Sequence, residues 1–468
     1  MIQKNHNNSP ITDHRSPITD HRSQITDHRS PITDHSKIVV FGGTGLVGSA
    51  ILRKLVEKGY KNILATYHRS PITDHRSLIT FIQIDLTNQQ SVADFFKTHR
   101  PEYVFLAAAK VGGIWANNVY RADFIYQNLQ IQNNVIHQSY LNEVKKLLFL
   151  GSTCIYPKNC PQPIKEEYLL TGELEYTNEP YAIAKIAGIK MCESFNLQYG
   201  TNFISVMPTN LYGENDNFDL EKSHVLPALI RKIHLGKCLE ENNWNEIRRD
   251  LNKRPIEGVD GNAPKDEILR ILDKYGIKIT ESDQLSVISD HFSAHYSPIT
   301  DHRSQLTDHS SPITDNSSPI TIEVWGTGKP KREFLWSDDM ADACVFIMEN
   351  VDFKDVISDQ LSVNSKQLTT HSSPLTDHSS LFTVYRSQIT EIRNTHINIG
   401  TGKDISIKDL AYLIKDIIGF RGGFYFNTSK PDGTMRKVTD VSKLHSLGWR
   451  HSIELKEGIE RVYRWYLK

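Results

Sequence analysis

A segment near the start of the chain constrains the fold more than any other part of the sequence. Residues 37–41 read KIVVF, a β-branched run typical of a buried strand, and GGTGLVG follows at residues 42–48. The next stretch, SAILRKLVEKGY, carries apolar residues on one helical face. Strand, glycine turn and helix predict a βα unit whose backbone N–H groups can approach a pyrophosphate. The predicted dinucleotide contacts in this turn are Gly42, Gly43, Thr44, Gly45, Leu46, Val47 and Gly48.

The chain continues with alternating strand and helix patterns. Further strands are predicted at NILAT (62–66), FIQIDL (81–86), YVFLAAA (103–109), KLLFLGS (146–152) and FISVMP (203–208). Helices are predicted at SVADFFKTHR (91–100) and EILRILDKYGI (267–277). This alternation predicts an α/β fold with a doubly wound parallel sheet of the Rossmann type.

The predicted domain organisation is discontinuous. Residues 37–208 are expected to form the dinucleotide-binding Rossmann domain, and the segments 333–350 and 395–402 are expected to return to it. Residues 209–332 and 403–468 are less periodic and are expected to form a smaller C-terminal substrate-binding lobe.

A heptapeptide repeat interrupts this pattern. The unit Ser-Pro-Ile-Thr-Asp-His-Arg/Ser fills most of residues 1–36 and returns, with variations, at 68–77, 281–319 and 356–390. One apolar position in seven cannot form a coiled-coil seam or offset the entropy of ordering, so we expect disordered insertions. The Asp-His pairs leave metal binding as an alternative. Because flexible chain fixes no ligand geometry, we expect no metal site and unchanged activity when residues 1–36 are removed.

Composition argues against several classes of function. The net charge is −1 and the isoelectric point about 7.1, so nothing indicates a nucleic-acid surface. The five cysteines form no Cys-x-x-Cys pair and suggest no disulfide framework. No apolar run reaches the roughly 20 residues that span a bilayer, and the polar N-terminus does not resemble a signal peptide. We therefore expect a cytoplasmic protein without a membrane or nucleic-acid partner.

The end of the second predicted strand bears on the choice between NAD and NADP. A carboxylate there would hold the ribose 2′-hydroxyl of NAD, whereas a basic residue suits the 2′-phosphate of NADP. The strand ends without an acid, in Thr66, Tyr67, His68 and Arg69, which favours NADP. Asp85 and Leu86 close the third predicted strand and are expected to contact the adenine. A solvated surface carboxylate is the alternative for Asp85.

A tyrosine and a lysine four residues apart form a second candidate centre. In EPYAIAKIAGIK, Tyr181 and Lys185 lie on one helical face. A phenol with a pKa near 10 transfers protons poorly at neutral pH, and a nearby ammonium is expected to lower that pKa. Ser152 ends an earlier predicted strand, where open α/β sheets bind ligands, and its hydroxyl can orient a carbonyl group. The alternative interpretation is a structural role for the pair, with Tyr181 buried and the aliphatic part of Lys185 packed beside it.

Longer segments carry a resemblance to a known family. They are AAAKVGGIWANN, ADFIYQN, KLLFLGSTCIYPK, EPYAIAKIAGIK, SVMPTNLYGENDNF, SHVLPAL, WGTGKPKREFL, HINIGTG and SKPDGTMRK. Together they resemble the extended short-chain dehydrogenase/reductase family over essentially all of the non-repeat chain. The resemblance implies an NADPH-dependent 3,5-epimerase and 4-reductase that converts GDP-4-keto-6-deoxy-D-mannose to GDP-L-fucose. It also implies a homodimer.

The resemblance assigns roles to individual residues. It implies that Ser152, Tyr181 and Lys185 serve the reduction, and that Cys154 and His224 are the acid/base pair of the epimerisation. Without the resemblance, Cys154 would more often be interpreted as a small core residue, and His224 as the residue at the start of a helix. The further cofactor contacts implied are Ala107, Ala108, Ala109, Leu150, Gly151, Thr153, Pro208, Thr209, Asn210 and Leu211, together with Ser152, Tyr181, Lys185 and His224.

Four more residues are implied to bind the nucleotide sugar, namely Lys232, Trp325, Arg332 and Asn427. The guanidinium fork of Arg332 suits a diphosphate, because it can bind two oxygens at once. The family often carries Arg and Asp at the positions of Lys232 and Asn427. The insertion at 68–77 falls where the family recognises the 2′-phosphate. We therefore expect that restoring the family's loop there tightens NADPH binding.

Two other functions stay open at this point. A 4,6-dehydratase or 4-epimerase of the same family would share the glycine turn and the Tyr181–Lys185 pair, but not the context of Cys154 and His224. The second alternative is an inactive relic of the fold, or a non-enzymatic protein that displays the repeats to a partner. Incubation with GDP-4-keto-6-deoxymannose and NADPH separates these functions by following the nicotinamide absorbance.

Overall fold

Parallel strands form the central sheet of the protein. The computed structural model describes residues 32–68, 78–279, 318–360 and 391–468. Within these ranges the sheet consists of β1 (Ile38–Phe41), β2 (Ile63–Tyr67), β3 (Ile79–Gln83), β4 (Tyr103–Leu106), β5 (Lys146–Leu150), β6 (Phe203–Pro208) and β11 (His396–Ile399). Its order is β11-β6-β5-β4-β1-β2-β3, and every neighbouring pair is parallel. The predicted doubly wound Rossmann sheet is thus confirmed.

Helices cover both faces of this sheet. One face carries α1 (Leu46–Glu57) and α9 (Ser337–Asn350), and the other carries α2 (Gln89–His99), α4 (Arg121–Leu141) and α5 (Glu179–Tyr199). Successive strand residues point to opposite faces, so Ile38 and Val40 join the first core, and Val39 and Phe41 join the second. Burial on both faces explains why the inner strands, such as β1, β4 and β5, are nearly continuous apolar runs.

A further core lies in the lobe that the sequence analysis separates from the Rossmann domain. Its helices are α6 (Val225–Glu240), α7 (Trp244–Lys253), α8 (Lys265–Lys274), α11 (Ile407–Ile418) and α13 (Leu455–Tyr466). A three-stranded sheet contributes to the same core, with β9 (Ile320–Trp325) between β8 (Ile277–Ile279) and β13 (Gly423–Asn427). The helix predicted at 267–277 is confirmed by α8, which begins two residues earlier.

A small mixed sheet connects the Rossmann core with the core of the lobe. In it β10 (Lys331–Trp336) pairs with β7 (Asn210–Tyr212), β12 (Asp404–Ser406) and β14 (Arg436–Lys437). Leu335 packs in the Rossmann core, whereas Phe334 and Trp336 pack in the core of the lobe. The start of the segment 333–350 therefore differs from the expectation, because β10 pairs outside the seven-stranded sheet while α9 packs on α1.

The remaining elements are short. They are the helices α3 (Ile114–Val119), α10 (Phe353–Val356) and α12 (Ser442–Ser446) and the 3-10 turns Thr153–Ile155, Glu166–Tyr168 and Tyr176–Asn178. All of these elements belong to one compact unit. Most of the predicted repeat tracts, namely residues 1–31, 69–77, 280–317 and 361–390, lie outside the described residues. The prediction of disorder is wrong at the described margins 32–36 and 356–360, because Ile32 and Val356 pack in the Rossmann core. In the described ranges no helix combines the length and apolarity needed to cross a membrane.

Candidate active site

The glycine turn between β1 and α1 presents a close-packed backbone surface. Gly42 has a φ of +84°, and a Cβ added there would lie 2.8 Å from the Ala108 Cα. A Cβ at Gly48 would fall on the carbonyl oxygen of Gly42. Gly45 caps α1 and brings no side chain to its first N–H groups, which can therefore bind an anion. The turn fits the diphosphate of a dinucleotide.

Thr66, in β2, holds this turn in place. Its hydroxyl accepts a hydrogen bond from the Gly42 N–H (3.2 Å), and its carbonyl oxygen accepts one from the Gly43 N–H (2.8 Å). β2 ends at Tyr67, and the exposed His68 is the last described residue before the gap. Arg69 lies outside the described residues, so the predicted contact of a basic pair with a 2′-phosphate stays a prediction.

The predicted adenine contact lies beside a cavity between β3 and α2. Asp85 is exposed, and its Oδ1 accepts hydrogen bonds from the N–H (2.9 Å) and the hydroxyl (2.7 Å) of Thr87. These bonds lower the pKa of the Asp85 carboxyl. The cavity has a volume of about 550 Å³, and its lining includes His68, Ile84 and Asp85. Leu86 is buried and turns away from solvent.

The other predicted cofactor segments follow the carboxyl ends of neighbouring strands. Because the strands are parallel, these ends share one edge of the sheet. Ala108, after β4, touches Gly42, and the Gly151 N–H, after β5, donates to the Val206 carbonyl oxygen in β6 (2.8 Å). The Thr209 N–H donates to the Ile399 carbonyl oxygen in β11 (3.0 Å). The structure thus places the ranges 42–48, 107–109, 150–153 and 208–211 along the same edge.

Lys185 and Tyr181 occupy the first turns of α5 against the end of β5. The Lys185 Nζ donates a hydrogen bond to the Leu150 carbonyl oxygen (2.7 Å) and lies 5.7 Å from the centroid of the Tyr181 ring. Burial lowers the pKa of Lys185 to about 8. Burial also raises the pKa of Tyr181, with a smaller contribution from Cys154. The expectation of a lowered tyrosine pKa was therefore wrong for the protein alone, because burial disfavours the phenolate and the Lys185 ammonium bonds to the Leu150 carbonyl oxygen instead.

Ser152 and Cys154 lie at the 3-10 turn that follows β5. The Ser152 hydroxyl accepts a hydrogen bond from the Cys154 N–H (3.3 Å). Cys154 is a free, buried thiol. Burial raises its pKa, while Lys437, the Ser152 hydroxyl and Lys185 act in the opposite direction. The thiol is protonated at neutral pH and sits among groups that would stabilise its thiolate.

Lys437 is a functional candidate that the sequence reasoning missed. It lies in β14, directly opposite Arg332 in β10. Burial lowers the pKa of its ammonium, Cys154 raises it and Arg332 lowers it. Lys437 therefore links the predicted proton-transfer thiol with the predicted diphosphate ligand. Its motif, SKPDGTMRK, was part of the resemblance, but nothing in the sequence distinguishes this lysine from its neighbours.

Arg332 is anchored at the junction of the two cores. Its Nη1 donates to the carbonyl oxygens of Lys331 (2.8 Å) and Thr434 (2.6 Å), and burial lowers its pKa. The next residue, Glu333, accepts a hydrogen bond from Asn210 Nδ2 at its carbonyl oxygen (2.8 Å). The strand that carries Arg332 is thereby tied to a predicted cofactor segment.

His224 caps the start of α6 and makes no side-chain bond to that helix. His224 is exposed to solvent, but protein atoms surround much of its imidazole. This partial desolvation lowers the pKa of the imidazole, as expected for a side chain on the wall of an open cleft. A chain of contacts connects it with Tyr181. Gly113 lies against the backbone of Lys222, and Gly112 lies against the Phe124 ring, which meets the Tyr181 ring edge-on.

The other predicted sugar-nucleotide residues surround Glu323 in β9. The Lys232 Nζ donates to the Glu323 carbonyl oxygen (3.3 Å), and burial lowers the pKa of Lys232 to about 8. Asn427 Nδ2 donates to Glu323 Oε1 (2.9 Å), and Asn427 Oδ1 accepts two bonds from Ser429. Trp325 is 61% exposed at the end of β9 and is available to stack on a planar group. The polar atoms of Asn427 are thus already engaged within the chain.

Comparison with known proteins agrees with this geometry. The sequence profile of the NAD dependent epimerase/dehydratase family matches residues 38–254 and 270–358. The chain is 41% identical to GDP-L-fucose synthase 1 of Arabidopsis thaliana over 433 residues, covering 92% of this chain and 94% of that protein. It is 38% identical to GDP-L-fucose synthase of Escherichia coli over 432 residues, covering 92% and 97%.

Solved structures give the same result. A GDP-6-OMe-4-keto-L-xylo-heptose reductase from Campylobacter jejuni is 42% identical with a TM-score of 0.68, covering 93% of this chain and 99% of that one. A GDP-D-glycero-L-gluco-heptose synthase from the same organism, solved in the presence of NADPH, is 41% identical with a TM-score of 0.68, covering 93% and 100%. The chain belongs to the NAD dependent epimerase/dehydratase family.

Proposed function

We propose that this chain is an NADPH-dependent 3,5-epimerase and 4-reductase that converts GDP-4-keto-6-deoxy-D-mannose to GDP-L-fucose. The observation that carries the proposal is the cluster of Ser152, Cys154, Tyr181 and Lys185 at the sheet edge that also holds the glycine turn. Relatives that are 38% and 41% identical over nearly their whole length are GDP-L-fucose synthases, which supports the substrate assignment.

The cofactor that fits the site is NADP(H). The turn Gly42–Gly48 would hold its diphosphate, and the cavity beside Asp85 lies where the adenosine is expected. The end of β2 offers no carboxylate to a ribose hydroxyl. When bound, NADPH supplies the hydride for reduction at C4. A structural relative solved in the presence of NADPH supports this choice.

The chain's own residues supply the proton transfers. The C4 ketone acidifies the C–H bonds at C3 and C5, so a base can remove each proton and an acid can return one to the opposite face. Cys154 and His224 are the proposed pair, since one is a thiol beside two ammonium groups and the other a neutral, accessible imidazole. Tyr181 is the proposed proton donor to the C4 oxygen, and Ser152 orients the ketone. A bound substrate that excludes water strengthens the effect of Lys185 on the phenol.

The nucleotide end of the substrate is proposed to bind in the lobe. Lys437 lies near Cys154 and Arg332 lies beside Lys437, and two neighbouring cations suit the diphosphate that precedes the hexose. The exposed Trp325 ring and Lys232 lie further along the same lobe and are proposed to bind the guanosine. Asn427 is proposed to act there through Glu323 rather than by direct contact.

We also propose a cytoplasmic homodimer. α4 and α5 pack together and expose large apolar side chains, including Tyr126, Leu141, Ile183 and Tyr199. Such a surface is typical of an interface, and a second copy of this chain is the proposed occupant. The reducing cytoplasm keeps the essential Cys154 thiol free. Sedimentation of an Ile183→Asp variant as a monomer, against a dimeric wild type, tests the interface.

A second candidate is reduction of a GDP-4-keto-heptose. It is favoured by the Campylobacter jejuni reductase, whose 42% identity to this chain is close to the 41% and 38% of the fucose synthases. The two functions differ in the sugar that gives the higher kcat/KM. The proposed function predicts a preference for GDP-4-keto-6-deoxymannose of at least tenfold, with GDP-L-fucose as the product. A preference for the heptose would replace the proposed substrate and leave the proposed chemistry intact.

A further inference from the structure

Polar atoms without partners lie close to the proposed reaction centre. Among the residues that the structure describes, Asn117 Oδ1, Asn178 Oδ1 and Ser223 Oγ are buried and have no hydrogen-bond partner. Asn117 as a whole is only 6% exposed. Burying an acceptor without a donor destabilises the folded state, because the atom loses its hydrogen bonds to water and gains none. Such groups are therefore uncommon unless a ligand or a water molecule donates to them.

The three residues come from segments that touch one another. The helix α3, which contains Asn117, packs against the turn Tyr176–Asn178. Gly113, which caps α3, is so close to the next segment that an added Cβ would lie 3.2 Å from the Lys222 carbonyl oxygen. α3 therefore packs against both the turn that carries Asn178 and the segment that carries Ser223.

These three residues lie near two of the proposed proton-transfer residues, Tyr181 and His224. Asn178 precedes Tyr181 by one helical turn at the start of α5, and Ser223 directly precedes His224. The segment before α3 reaches the Phe124 ring, whose centroid lies 6.3 Å from that of the Tyr181 ring. A ligand between Tyr181 and His224 would therefore lie beside the segments that carry these three side chains.

The orientation of the Asn117 amide specifies what it can bind. Asn117 Nδ2 donates to the carbonyl oxygens of Gly112 (2.6 Å) and Gly113 (3.0 Å), so its oxygen must point away from them. An amide oxygen accepts hydrogen bonds and needs a donor. Phosphate oxygens are acceptors and cannot satisfy it, whereas the hydroxyl groups of a sugar can.

We propose that Asn117, Asn178 and Ser223 form a recognition site for the hydroxyl groups of the hexose. The inference rests on the proposed function and adds the part of the chain that distinguishes the sugar from the nucleotide. Asn178 and Ser223 are suitable positions for substitution. The Asn178 side chain makes no capping hydrogen bond to α5, and Ser223 Oγ has no hydrogen-bond partner among the described residues. Within the described ranges, truncation removes no hydrogen bond made by Asn178 Oδ1 or Ser223 Oγ.

The test compares binding of GDP-L-fucose and of GDP by calorimetry to the full chain and to the variants Asn178→Ala and Ser223→Ala. We expect each variant to bind GDP-L-fucose about tenfold more weakly, the effect of one hydrogen bond, and GDP with unchanged affinity. The melting temperature should be unchanged or higher, because an unsatisfied polar atom has been removed. Ser194→Ala, on the exposed face of α5 where the hydroxyl donates to the Lys190 carbonyl oxygen (2.7 Å), should change neither affinity.

Three results would overturn the inference. Equal binding of GDP-L-fucose by wild type and variants would show that these atoms bind water only. A lower melting temperature with unchanged affinity would assign them a structural role. Weaker binding of NADPH instead of the sugar would move them to the nicotinamide. Failure of the proposed function looks different, since wild type would then bind these ligands without turning over the keto sugar, or would not bind GDP-L-fucose at all.

Discussion

Gly48, in the first turn of α1, packs on the carbonyl oxygen of Gly42 so closely that no side chain fits between them. This contact sets the distance between the helix and the turn that would hold the cofactor diphosphate. The glycine turn is thus a packing requirement of the fold as well as a binding surface.

The variant Gly48→Ala should therefore lose both stability and cofactor. The new methyl group must displace backbone, which we expect to cost roughly 1–3 kcal/mol and at least tenfold in NADPH affinity. Gly45→Ala is the matched control for stability, because a Cβ there would lie 3.7 Å from its nearest neighbour. Urea denaturation and fluorescence titration measure the two effects. Equal stability of the two variants would contradict the packing argument.

Lys185 should make the stability of the protein rise with pH. Its pKa is lowered to about 8 in the folded chain, so between about pH 8 and 10.4 the unfolded chain binds more protons. The folded state therefore gains about 1–3 kcal/mol over this window relative to Lys185→Met, which cannot titrate. Urea midpoints at pH 7, 8.5 and 10 test this. Parallel curves for wild type and variant would show that the ammonium is not desolvated.

Asp216 should have the opposite effect at lower pH. Its Oδ2 is buried without a partner in the described ranges, and burial raises its pKa to about 7. The folded chain then binds more protons between about pH 4 and 7, so stability falls as pH rises through this window. Asp216→Asn should be more stable than wild type by about 1–4 kcal/mol at pH 8, and the difference should shrink at pH 4. A constant difference at both pH values would argue against a desolvated carboxyl.

Lys437 should control the thiol of Cys154. Its ammonium opposes the effect of burial on the thiol pKa. Lys437→Met should therefore raise the midpoint pH of Cys154 alkylation by iodoacetamide by roughly one unit. Alkylation of the Cys154→Ser variant measures the signal from the other thiols, which is subtracted. The control is Lys430→Met, since Lys430 is an exposed cation beside Trp325. An unchanged alkylation profile would remove Lys437 from the site.

Much of the fold could be predicted because it depends on local patterns. Except for the edge strand β3, the strands of the large sheet are buried on both faces, so they appear in the sequence as apolar runs between turns, and HINIGTG could be placed beside them. β7, β12 and β14 have two or three residues each and carry no periodicity. They form strands only because β10 offers them partners. The third strand, predicted at 81–86, lies at Ile79–Gln83, since the repeat tract before it hides its start.

The candidate site divides in the same way. Short motifs contain Ser152, Cys154, Tyr181 and Lys185, so their location at one edge of the sheet could be predicted from the sequence. Lys437 and the group of Asn117, Asn178 and Ser223 could not be predicted. Their significance depends on burial and on missing partners, which are properties of the packed chain.

The most direct test of the central claim is a single assay of the full 468-residue chain in deuterated water. GDP-4-keto-6-deoxymannose and NADPH are supplied, and both the nicotinamide absorbance and the deuterium content of the sugar are followed. We expect stoichiometric oxidation of NADPH and a GDP-L-fucose product labelled at C3 and C5. We also expect that Tyr181→Phe loses the oxidation and that Cys154→Ser loses the labelling. Absence of NADPH oxidation above the protein-free control, or full labelling by Cys154→Ser, would contradict the account.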